Sequence, residues 1–239
     1  MGLGWRLVQQ QAVSPRRFDL ERASRAFTEE LQTLLNNTIC NGIALNSVAF
    51  SGPPARTNVG YKISKTNLDV SGIPITCGRR EPNLYLGLSI RLAPDDQEEH
   101  LMVTSSVVIV AVDEDVADDS KVLLHYDYER DKPDGYPEAH LQIHATSDAW
   151  QVACGIANKE LEKMHLPVGG RRFRPTLEDV LEFLVREGLA DSHPQCDAIL
   201  EERRTAFYEK QLRAAVRRNP HAAVEQLRSL GYEVNEPKT

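Results

Sequence analysis

Residues 84–92 and 101–112 leave this chain little choice of architecture. In Leu84-Tyr85-Leu86-Gly87-Leu88-Ser89-Ile90-Arg91-Leu92 the leucines and isoleucine fall on every second position, with Tyr85, Ser89 and Arg91 between them. A period of two belongs to a strand with one buried and one wetter face. The segment Leu101 to Val112 contains the unbroken run Val107-Val108-Ile109-Val110, which predicts a longer strand buried on both faces in mid-sheet. The acidic turn Pro94-Asp95-Asp96 leads from the first segment to the second.

The flanking segments extend this sheet. From Gly42 to Ile90, β-branched and aromatic residues are interrupted by Ser51-Gly52-Pro53-Pro54, Ser71-Gly72-Ile73-Pro74 and Cys77-Gly78, which predicts several antiparallel strands joined by turns. Asp113 to Ser120 is an acidic loop of the kind that faces water. Lys121–Tyr128 and Glu138–Ala145 then form a hairpin across Pro133-Asp134-Gly135. Upstream of the sheet, Asp19 is placed to cap a helix with Leu20, Ala23, Phe27, Leu31 and Leu34 on one side, ending at Asn36-Asn37.

After the hairpin the pattern turns helical. Ser147 can cap a helix carrying Trp150, Cys154, Ala157, Leu161 and Met164. Thr176-Leu177-Glu178-Asp179 resembles a capping box, opening a helix that stops at Gly188. A helix over about Pro194 to Arg218 follows, and Asn219-Pro220 starts a short one that ends at Gly231. The fold class read from this order is α+β: a mainly antiparallel twisted sheet of six or seven strands packed with helices. Residues 1–190 form the sheet and its helices, and residues 191–239 a C-terminal helical layer or arm.

Composition narrows the class of function. The chain is 41% hydrophobic and 26% charged, as expected for a globular protein, with no apolar stretch long enough for a membrane span. Met1 to Val13 places Gln9, Gln10 and Gln11 where a signal peptide would be apolar, so a cytoplasmic location and no membrane partner are expected. Cys40, Cys77, Cys154 and Cys196 lack the close spacing of a zinc site or disulfide framework. A formal charge of −7 opposes indiscriminate binding to nucleic acid, so any such contact must come from local basic patches. Walker A, GxGxxG, GxSxG and kinase motifs are absent. No cofactor is signalled.

Three features carry chemistry. Strand alternation puts His125 with Asp127 on one face of the hairpin, and His140 with Gln142 and His144 on the same side. If the turn is symmetric, Asp127 lies across from His140 and His125 across from Gln142. Two imidazoles and a carboxylate can divide acid and base work on a phosphodiester, can hold a divalent metal, or can simply pair with one another on a solvated face. In the catalytic reading His140 and His144 act on the phosphodiester and Asp127 orients one of them. The second feature is Gly169-Gly170-Arg171-Arg172-Phe173-Arg174-Pro175-Thr176, where Arg171, Arg172 and Arg174 beside a helix start can hold phosphate or form a solvated, salt-bridged surface, with Glu178 and Asp179 serving the helix terminus. The third is Arg203, Arg204, Lys210, Arg213, Arg217 and Arg218 around Phe207 and Tyr208, which suits a partner-binding or simply exposed amphipathic helix better than nucleic acid, since Glu201, Glu202 and Glu209 dilute the charge.

The order His125-Tyr126-Asp127-Tyr128, Ala139-His140-Leu141-Gln142-Ile143-His144 and Pro175-Thr176-Leu177-Glu178-Asp179-Val180-Leu181 resembles the TumE-like toxins, small bacterial proteins found with toxin-antitoxin and phage-defence genes. That family carries a tyrosine-rich strand, a histidine-rich strand and a P-x-L-E-x-V-L helix in this order. The resemblance implies a toxin or antiviral defence component acting on nucleic acid, with His140, His144 and the helix from Thr176 as its corresponding parts. The rival expectation is a non-catalytic subunit that binds a partner protein through its C-terminal helices.

Overall fold

The computed structural model describes residues 18–78, 81–145, 147–149, 152, 163–169 and 174–235. Helix α1, Leu20–Thr38, is capped as expected: Asp19 accepts from the backbone N–H of Arg22 at 2.9 Å. It runs past Asn36, because that amide does not cap the helix. Its Nδ2 donates to the Ile43 carbonyl, and its Oδ1 accepts from the Ile43 N–H, each at 2.8 Å, which turns the chain back toward the sheet.

The architecture is α+β, with one open antiparallel sheet. Its strands are β1 Leu45–Phe50, β2 Arg56–Tyr61, β3 Ile73–Ile75, β4 Leu84–Pro94, β5 Leu101–Ala111, β6 Val122–Glu129, β7 Ala139–Ile143 and β8 Leu166–Pro167. They run β1-β2-β4-β5-β6-β7-β8 across the sheet, with β3 paired to β4 off this path. Among the described residues there are eight strands rather than six or seven, because three-residue β3 and two-residue β8 are too short to leave a periodic signal. The helices expected late in the chain are α2 Leu177–Arg186, α3 Cys196–Arg218 and α4 Pro220–Ser229. The helix expected after Ser147 falls almost wholly outside the described residues.

One face of the sheet is the core. Leu84, Leu86, Leu88, Ile90 and Leu92 of β4 all point to it, as do Val108 and Val110 of β5. There they meet Leu31, Leu34 and Leu35 of α1, and Leu177, Val180, Leu181 and Leu184 of α2. Cys196 and Leu200, from the first turns of α3, join the same cluster, so α3 starts as a layer on the sheet. Further along it becomes an arm, where Leu212 is 65% exposed. The expectation that β5 is buried on both faces holds for one face only. Val108 and Val110 are buried but Val107 and Ile109 are half-buried, since none of the described helices packs on their side. Among the described residues no helix is long and apolar enough to cross a membrane.

Leu184 is fully enclosed between α2 and the sheet. Leu184→Ala is expected to cost about 2–5 kcal/mol, read as a lower urea midpoint with an unchanged slope. The thiol of Cys40, pushed up to about 12 by burial, should resist alkylation in the folded protein. Half-buried Cys77 should label before it, and peptide mass spectrometry separates the two.

Candidate active site

The hairpin β6–β7 delivers its polar residues to the face away from the described helices. Leu124 and Tyr126 of β6 pack against the core, so alternation turns His125 and Asp127 outward. The observed register pairs His125 with Gln142 and Asp127 with His140, the alignment read from a symmetric turn. His144 extends the same face, its N–H donating to the Leu123 carbonyl at 2.9 Å.

These side chains touch. Oδ2 of Asp127 lies 3.4 Å from Nε2 of His125 and 3.3 Å from Nε2 of His140, so one carboxylate oxygen faces two imidazoles. Nε2 of His125 is also 2.8 Å from Oε1 of Gln142, its facing residue. Nδ1 of His140 is 3.2 Å from the Pro137 carbonyl, so both nitrogens of this ring face acceptors. The ring of His144 meets that of His125 edge-on at 5.5 Å.

Accessibility divides the histidines. His140 is 2% exposed and so positions the carboxylate rather than meeting a ligand, whereas the side chain of His125 is 19% exposed. His144 is half-buried, and its Nε2 is enclosed without a hydrogen-bond partner among the described residues, as is Oδ1 of Asp127. Buried polar atoms left unpaired cost about 1–3 kcal/mol each, and two in one cluster mark a site that stability alone does not explain.

A further histidine was missed in the sequence. His165 stacks edge-on against His140 at 4.5 Å and lies 4.2 Å from the ring of Tyr136. It sits immediately before β8, which pairs His140 with Pro167. Its position just ahead of the arginine-rich loop was the only signal in the sequence.

No family model matches this chain, and neither curated proteins nor solved structures yield a match. The site must be argued from its own geometry.

That geometry separates the two features assigned to one phosphodiester. Arg174 lies over the ring of Tyr128 at 4.1 Å, and Tyr128 points to the helix-bearing face while its neighbour Asp127 points away from it. Arg174 therefore stands behind the sheet from the histidines. Arg171 and Arg172 fall outside the described residues. The start of α2 carries its own anions: Asp179 Oδ2 accepts from the Thr176 N–H at 2.8 Å, completing a capping box, while Oδ1 takes Nε of Arg204 at 3.1 Å. Among the described residues no three His, Cys, Asp or Glu side chains converge as a metal set. The two Nε2 atoms instead converge on one carboxylate oxygen at ion-pair distance.

Asp127→Ala is expected to lower stability by about 1–3 kcal/mol by leaving Nε2 of His140 buried without the carboxylate it faces. Leu123→Ala, four residues away on the same strand and 39% exposed, should cost less in the same urea titration.

Proposed function

We propose that this protein is a cytoplasmic bacterial toxin or phage-defence component that acts on nucleic acid or a nucleotide at the histidine face, by acid–base chemistry on a phosphodiester. The observation that carries this reading is the carboxylate of Asp127 held between His125 and His140, with His144 edge-on to His125. The motif order shared with TumE-like toxins supports the biological setting.

In this reading His125 and His144 handle protons. One imidazole takes the proton from the attacking hydroxyl while the other gives a proton to the departing oxygen, so the nucleophile is activated and the leaving group neutralised. Asp127 fixes the ring of His125 and stabilises the charge that develops on it. Gln142 shares that task through Oε1. Buried His140 acts as a positioning residue, clamping Asp127 from the other side.

Cleavage of single-stranded and structured RNA by the purified protein, followed on gels, tests the reading. His125→Ala and His144→Ala are each expected to reduce cleavage by about 10²–10⁴-fold with an unchanged circular dichroism spectrum. A folded double variant that cleaves as well as the wild type, or remains as toxic on expression, would falsify it.

The second reading, a non-catalytic subunit that docks a partner protein, is favoured by one feature. Leu212, Leu230 and Tyr232 of the C-terminal helices and their end are 65%, 64% and 63% exposed. A stable complex lost on Leu212→Glu, from a protein with no cleavage activity, would select it.

A further inference from the structure

A cleft of about 660 Å³ lies on the helix-bearing side, between α1, the ends of β4 and β5, the start of α2 and the arm of α3. It is behind the sheet from the histidines. Small-ligand sites occupy about 300–1,000 Å³, so its size suits one molecule rather than a protein surface.

Its walls are of two kinds. The floor is apolar, made by Phe27 and Leu31 of α1 with Leu88, Ile90 and Val108 of the sheet. The rim is cationic: seven lysines and arginines line the cleft against three carboxylates, although the chain as a whole carries −7. Those carboxylates are already engaged. Arg203 lies 3.5 Å from Glu30 and 3.9 Å from Glu178, and Asp95 accepts from the backbone N–H groups of Glu99 and His100 at 2.8 and 3.0 Å. Exposed Lys210, Arg217 and Arg218 make no ion pair among the described residues.

The inner end is more demanding. The Arg174 guanidinium is held over Tyr128 at 4.1 Å and reaches within 6.0 Å of the Phe207 ring centre. Burial lowers its pKa and the charge of Arg130 pushes the same way, while Tyr128 and the carboxylate of Glu138 push it back up. A cluster of like charge in an acidic protein is favourable when an anion is bound.

We infer that this cleft is a separate binding site for a nucleoside phosphate, whose phosphates meet Arg130, Arg174, Lys210 and Arg217 and whose base lies against Phe27 and Phe207. Guanidinium groups fork onto phosphate oxygens, and an aromatic and aliphatic floor accepts a flat base. The inference is independent of the chemistry proposed for the histidine face.

Anisotropy of a ribose-labelled fluorescent ADP, titrated with the full chain, tests it. Saturable one-to-one binding is expected, displaced by unlabelled ADP and weakened as salt rises. The double variant Lys210→Glu/Arg217→Glu, at exposed positions the fold does not need, should weaken it by at least about tenfold. Ala206→Trp, which fills the cleft from α3, should also weaken it, and His144→Ala should not. The site assignment is overturned if no binding occurs or if the charge reversals leave affinity unchanged. Adenosine competing as well as ADP would mean that phosphate is not read. Inorganic pyrophosphate competing equally would mean that the nucleoside is not read, and a short single-stranded RNA displacing the probe where ADP does not would assign the cleft to a strand.

Discussion

Burial of a single sheet face under helices governs everything else in the molecule. The aliphatic positions of β4 recur at every second residue, and the water-excluding surface they make is covered by α1, α2 and the first turns of α3. At roughly 25 cal/mol per Å² of apolar surface removed from water, this is the dominant favourable term in folding. Because side chains alternate strictly along a strand, fixing Leu124 and Tyr126 in that layer leaves His125 and Asp127 no other place than the opposite side. The histidine cluster is thus a by-product of core packing that has acquired close polar contacts.

The same constraint explains why two features that look adjacent along the chain work apart. Tyr128 is one residue from Asp127, yet the pleat sends the two in opposite directions, and Arg174 follows Tyr128. The protein therefore carries a polar constellation on one side of a sheet and a cationic cleft on the other. Each can be altered without direct contact with the other.

Much of this was legible in the residues, and the rest was not for identifiable reasons. The β6–β7 register could be read because both strands alternate cleanly and the loop 130–138 closes symmetrically about Pro133-Asp134-Gly135, so Asp127 opposite His140 needed no long-range information. Asp19 and Thr176 announced their helices because capping is local chemistry. His165 stayed hidden because it precedes a strand of two residues, below any periodic signal. The partial exposure of Val107 and Ile109 was also unreadable, since a run of aliphatic residues says that a strand is central but not how many faces are covered. The cleft was the least visible of all. Its cations come from the arm of α3, from Arg174 and from Arg130, and their convergence is a property of tertiary packing.

The two-residue strand β8 has a further consequence. It lies beyond β7 at the end of the sheet, with Pro167 as the residue facing His140. Proline has no N–H to offer, so an incoming chain cannot continue the hydrogen-bonded ladder at that point. Natural sheets use such residues to stop edge-to-edge association, and here the stop stands directly beside the buried histidine. Strand addition therefore lacks a donor next to the cluster, which disfavours association along that border of the described sheet.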